Sequence, residues 1–163
     1  MPTAAGNRYL AIYLEDHLAA SIGAIELARR GAGQYRDGEL GAFLARLAGE
    51  IASDHDELKR FAAAVGGGAN VLKQLAAWGA EKAGRLKLNG HLLSPSPLSP
   101  VVELEVLSLG VHGKLLLWRA LEAQYGAQAP GGLDLPALIE RAEHQLAELE
   151  EHRLAATAAA FGS

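Results

Sequence analysis

The chain has 163 residues, of which half are hydrophobic, and this favours a single domain over residues 1–163 with one sizeable core. Its formal net charge of −4 offers no overall positive field for nucleic acid or an anionic membrane, so those partners are disfavoured. Because the chain has no cysteine, disulfides, zinc–thiolate sites and thiol nucleophiles are excluded, and any metal must bind to His, Asp or Glu.

The N-terminal segment, residues 1–8, lacks the basic start and the uninterrupted apolar run of a secretion signal. No stretch reaches the length of about 18 apolar residues that a membrane span requires. We therefore expect a soluble cytoplasmic protein.

Glycine and proline clusters divide the rest of the chain into helical segments. Apolar residues recur with helical spacing between the clusters, and no alternating strand pattern competes with them. The predicted helices cover residues 7–30, 38–65, 70–87, 101–125 and 134–161. Asp37, Ser99 (followed by Pro100) and Asp134 are placed to cap the second, fourth and fifth of them.

The connections between these helices predict how they are paired. Short loops follow the first and the fourth predicted helix, so each forms an antiparallel hairpin with the helix after it. Residues 66–100 form a much longer connection that contains the short helix 70–87. The sequence thus predicts an all-α antiparallel four-helix bundle of two hairpins, joined by a long crossover with a fifth short helix.

The predicted helix 101–125 is apolar on two opposite sides. One stripe contains Val102, Val106, Leu109, Leu116 and Ala120, and the other contains Leu104, Leu107, Val111, Leu115 and Trp118. Both sides therefore need a cover, which either the crossover helix or a second subunit supplies. The first helix has a similar excess in Tyr9, Ile12 and Tyr13, so we expect a homodimer.

Each bundle helix has one ionisable residue in or beside its apolar stripe: Glu15, Asp54, Glu105 and Arg153. A buried charge is costly unless it is paired or bound to metal, so these four form a predicted core polar cluster. One interpretation is an ion pair between Glu105 and Arg153 that only fixes helix register. Glu15 and Asp54 are expected at a common level, where they either bind a cation or turn to separate partners.

This layout resembles the ferritin-like superfamily over residues 7–161. The resemblance implies a di-iron or di-manganese centre bound by a lone Glu on two helices and by Glu-x-x-His on the other two. Glu15 and Glu105 match the lone carboxylates. No Glu-x-x-His occurs, since the corresponding positions read Asp54-His55 and Glu151-His152.

The missing motif and the inward cation Arg153 favour a branch of the superfamily without the usual metal centre. We therefore expect a non-redox binding or assembly module that has no cofactor. The alternative is a di-metal oxidase or iron-handling protein with an altered ligand set, and whether the chain is an enzyme stays open. In that alternative the metal ligands are Glu15, Asp54, His55, Glu105 and His152.

The crossover contains a second candidate site. Lys82, Arg85 and Lys87 form a basic run in an otherwise acidic protein, and they predict an anion-binding segment for a small acidic ligand. The alternative is a solvated face that pairs with acidic residues of the bundle.

Overall fold

In a computed structural model of the chain, residues 4–66, 96–126 and 128–162 are described. The described chain is all-helical apart from one short connection, as the sequence predicts. Its helices are α1 (Ala4–Gln34), α2 (Glu39–Gly66), α3 (Ser99–Tyr125) and α4 (Leu135–Phe161). The predicted helix 70–87 and the anion-site residues Lys82, Arg85 and Lys87 lie outside the described residues.

The connection between α3 and α4 contains the only strands in the described part of the chain. They are β1 (Gln128–Ala129) and β2 (Leu133–Asp134), which pair antiparallel around a 3-10 turn, Pro130–Gly132. Gly131 and Gly132 adopt positive φ angles of 77° and 73°, which few other residues tolerate. The Asp134 carboxylate then accepts a hydrogen bond from the Ala137 amide at 3.1 Å, so the predicted cap of α4 is confirmed. The cap predicted at Ser99 is wrong, because Ser99 is already the first residue of α3 and the N-cap is Leu98.

The first predicted helix ends too early at residue 30, because α1 continues through Gly31 to Gln34. Gly31 serves close packing instead of a turn. A Cβ atom at this position would lie 2.7 Å from Leu44 Cδ1 of α2, so the absence of a side chain lets the two helices approach each other.

The four helices share one apolar core. α1 packs along α2, α3 packs along α4, and α1 also contacts α3. The largest fully buried side chains come from α2, α3 and α4 and include Phe61, Trp118 and Leu149. Residue pairs fix one relative direction: Asp54 of α2 meets Lys114 of α3, and further along the same helices Phe61 meets Tyr125 with ring centroids 5.3 Å apart. The helices α2 and α3 therefore run in the same direction.

Only one of the two apolar stripes on α3 faces this core. Leu104, Leu107, Val111, Leu115 and Trp118 are all buried. On the other stripe Val106, Leu109 and Leu116 are 51%, 74% and 50% exposed, and Tyr9 and Ile12 of α1 are also exposed. The predicted inward position of Glu105 is therefore wrong, because Glu105 belongs to the outer stripe and its side chain is 51% exposed.

Among the described helices, none combines the length and the apolar character that crossing a bilayer requires.

Candidate functional site

The polar centre of the bundle is the carboxylate of Asp54. This side chain is 2% exposed among the apolar residues of α2, beside Ile51 and Leu58. One carboxylate oxygen accepts a hydrogen bond from the Lys114 ammonium of α3, and the other accepts one from the Arg141 guanidinium of α4. Three helices are thus joined through one buried acid.

Polar contacts continue from this centre toward the surface. Lys114 Nζ also donates to Gln145 Oε1 at 2.5 Å, and Gln145, which is fully buried, donates through Nε2 to Glu50 Oε2 at 2.8 Å. Arg46 donates to Glu50 at 3.2 Å. This hydrogen-bond network thus links the buried Asp54 carboxylate to the exposed edge of α2 and α4. It also gives partners to buried polar groups, which would lower the stability of the fold if they were unpaired.

Burial disfavours the charged form of Lys114, and its partner Asp54 favours it. Its side chain is only 12% exposed, and burial lowers the pKa of the ammonium group, although the Asp54 carboxylate opposes that effect. Burial of a paired charge is favourable only when the partner geometry compensates for the lost hydration. The charged form of Lys114 is therefore stabilised mainly by the Asp54 carboxylate.

A pocket of about 50 Å³ lies beside the ion pair, between α1, α2 and α3. Apolar walls surround it on most sides, including Ala24, Leu58 and Val111. Its polar lining comes from His17, Ser21, Asp54, His55, Lys114 and Trp118. A concave, mostly apolar space with a few convergent polar groups is the usual form of a small-ligand site.

Two histidines and a serine form one wall of this pocket. The Ser21 hydroxyl donates to the Leu18 carbonyl oxygen at 2.7 Å, and His55 Nδ1 lies 2.6 Å from the same hydroxyl oxygen. With its proton on Leu18, the hydroxyl accepts a hydrogen bond from Nδ1. Burial lowers the pKa of His17 and of His55, so both imidazoles are neutral at pH 7.

The four residues of the predicted core polar cluster lie in different environments. Asp54 is buried, Glu15 is partly exposed on α1, and Glu105 is on the outer face of α3. The expected pair between Glu105 and Arg153 is present, with Nη1 and Oε1 3.7 Å apart, but it lies at the surface. Arg153 donates two stronger hydrogen bonds to Glu150, at 2.7 and 2.8 Å.

The predicted metal ligands His55 and His152 contact residues outside the predicted ligand set. His55 contacts Ser21, and the ring of His152 stacks on that of Phe43 with centroids 4.2 Å apart. Within residues 4–66, 96–126 and 128–162, no three His, Asp or Glu side chains come together as a metal-binding group.

Sequence reasoning missed the two cations of the site, Lys114 and Arg141. The signal for Lys114 was present, because it lies three residues after Val111 and four before Trp118, on the buried stripe of α3. Glu105, the residue predicted to face inward, belongs to the other stripe. Arg141 has no such signal, since it is partly exposed and reaches Asp54 with the end of a long side chain.

Comparison of this chain with protein-family models, with curated proteins and with solved structures found no match in any of the three.

Proposed function

We propose that the chain is a non-redox binding module with the ferritin-like arrangement of two hairpins and a long crossover. In this proposal Lys114 and Arg141 neutralise the buried Asp54 carboxylate, as two metal ions neutralise the carboxylates of ferritin-like oxidases. The pocket beside Lys114 is the binding site. No reaction is assigned to it.

The observation that carries the proposal is the pairing of both Asp54 oxygens with protein cations. A metal ion at this acid would need the same oxygens, and it would lie next to an ammonium and a guanidinium that repel it. The direction of the helices supports the ferritin-like part of the proposal, since α2 and α3 run in the same direction, as a long crossover requires.

Metal analysis of protein purified without chelators tests this proposal against the di-iron or di-manganese alternative. We expect less than about one tenth of an equivalent of iron, manganese or zinc, with no difference between the native chain and Asp54→Asn. Asp56→Asn is the matched control, because Asp56 is on the same helix with its side chain 74% exposed. One or more equivalents of metal in the native chain, lost in Asp54→Asn alone, would defeat the proposal.

A second proposed property is assembly as a homodimer through the uncovered apolar side chains of α1 and α3. Tyr9 of α1 and Leu109 of α3 are 72% and 74% exposed, and large exposed apolar side chains are available to an interface. Sedimentation equilibrium tests this assembly. We expect dimers of the native chain and monomers of Leu109→Glu, while Leu154→Glu, at a 53% exposed position of α4, should remain dimeric. A monomeric native chain at about 100 µM would contradict it.

A further inference from the structure

We propose that the pocket between α1, α2 and α3 binds the carboxylate group of a small aliphatic acid, which accepts hydrogen bonds from Lys114 Nζ and Trp118 Nε1. This inference rests on the proposed function as a binding module, and it names the chemical class of the ligand.

Lys114 has a donor to spare for such a ligand. An ammonium group has three N–H bonds, and two are directed to Asp54 and Gln145. Since Lys114 also lines the pocket, its third N–H is available to a ligand there. An anionic acceptor at this point would form a charge-assisted hydrogen bond, which is about twice as strong as one between neutral groups.

Trp118 supplies the second and independent observation. Its side chain lines the same pocket and is 1% exposed, but its indole N–H has no acceptor among the described residues. Buried donors in folded proteins nearly always have a partner, because an unpaired one loses its hydration without compensation. A ligand oxygen in the pocket would satisfy this N–H.

The charges around the pocket favour an anion over a neutral acceptor. Lys114 and Arg141 both contact the carboxylate of Asp54, so these three groups together carry one excess positive charge. Glu50 also acts on Lys114, but Gln145 and Arg46 both donate hydrogen bonds to that carboxylate. Both Asp54 oxygens are already used, so little acceptor capacity remains for an amine ligand.

Size and polarity restrict the anion to a small one with an apolar part. The volume of about 50 Å³ is far below the roughly 150 Å³ of a cavity that holds benzene, so a carboxylate and a few methylene groups are all that fit. Ala20, Ala24 and Val111 provide apolar contact for those methylenes. A phosphate ion would leave these walls without a partner.

Nuclear magnetic resonance of the indole N–H groups tests the inference directly. The chain has two tryptophans, and loss of one indole signal in Trp118→Phe assigns the signal of Trp118. We expect acetate, propionate and butyrate to shift that signal with a dissociation constant of about 1 mM, tightening along the series. Butyramide and inorganic phosphate, as matched neutral and polar probes, should bind at least tenfold more weakly.

Trp118→Phe is the variant that keeps the test interpretable. It removes the N–H and retains an aromatic ring, so the fold should persist, with a Tm lowered only by the cavity that the smaller ring leaves, since no hydrogen bond to the protein is lost. Butyrate affinity by calorimetry should fall about fivefold to tenfold. Folded Lys114→Met protein should not bind butyrate.

Three results would overturn the inference: unchanged butyrate affinity in Trp118→Phe, phosphate or butyramide binding as tightly as butyrate, or no shift with any of the three acids. Each of these leaves the proposed non-redox function standing, because that proposal is decided by metal content. Stoichiometric metal at Asp54 would instead remove both.

Discussion

Replacing Asp54 by Asn is the substitution whose effect the structure predicts best. Asn has nearly the same volume as Asp, so packing against Ile51 and Leu58 is retained and the change is one of charge. Lys114 then remains with a buried ammonium that faces only the Asn amide and Gln145. Arg141 loses its acid too, but its side chain is 37% exposed and recovers hydration.

Removing one partner of a buried ion pair costs about 3–5 kcal/mol, because the other charge stays buried without compensation. The value for Asp54→Asn should be near the lower end, about 3 kcal/mol, since Arg141 is partly hydrated and Asn still accepts one hydrogen bond. For a chain of this length that corresponds to a fall in Tm of roughly 6–12 °C.

Urea and thermal unfolding followed by circular dichroism measure this change in the free energy of unfolding. Asp56→Asn is the control, because its pair with Lys59, at 3.8 Å, is exposed and should contribute less than about 0.5 kcal/mol. Adding Lys114→Met to Asp54→Asn should recover part of the loss, since the unpaired ammonium is gone. Equal stability of Asp54→Asn and Asp56→Asn would show that the buried ammonium of Lys114 does not depend on the Asp54 carboxylate.

Two other predictions concern pH and helix packing. Burial lowers the pKa of His17 and His55 below the 6.5 of an unfolded chain, so the unfolded state takes up protons first as the pH falls. Stability should therefore decrease from pH 7 to pH 5, with a smaller decrease in His55→Gln; a flat thermal-unfolding profile would contradict this. At Gly41 a Cβ atom would collide with the backbone carbonyl of Tyr35, whereas at Gly49 it would meet nothing within 4 Å. Urea unfolding should show Gly41→Ala less stable by about 1–3 kcal/mol and Gly49→Ala more stable by about 0.5–1 kcal/mol, and equal effects would count against the packing of the turn after α1 on α2.

The helices could be predicted closely from the sequence, because apolar periodicity and glycine or proline clusters act locally. The predicted 38–65, 101–125 and 134–161 agree with α2, α3 and α4 to within two residues at each end. The error at Gly31 has a tertiary cause. A glycine at a close helix contact and a glycine at a turn look the same in sequence, and only the position of Leu44 distinguishes them.

The candidate site could be predicted only in part. The burial of Asp54 follows from its position in the α2 stripe, but its partners depend on which side of α3 faces inward. Both sides of α3 are apolar, so periodicity alone does not show which side faces the core. The predicted inner residue is Glu105, whereas the structure has Lys114 inside. Arg141 reaches the site across α4 by the length of its side chain, which helical spacing does not encode.

A crystal structure of the protein soaked in manganese, with anomalous diffraction data, decides between an ion pair and a metal site at Asp54. We expect Lys114 Nζ and the Arg141 guanidinium in hydrogen-bond contact with Asp54, and no anomalous peak among these three side chains. A manganese peak bound to Asp54, with Lys114 displaced from the carboxylate, would contradict this expectation.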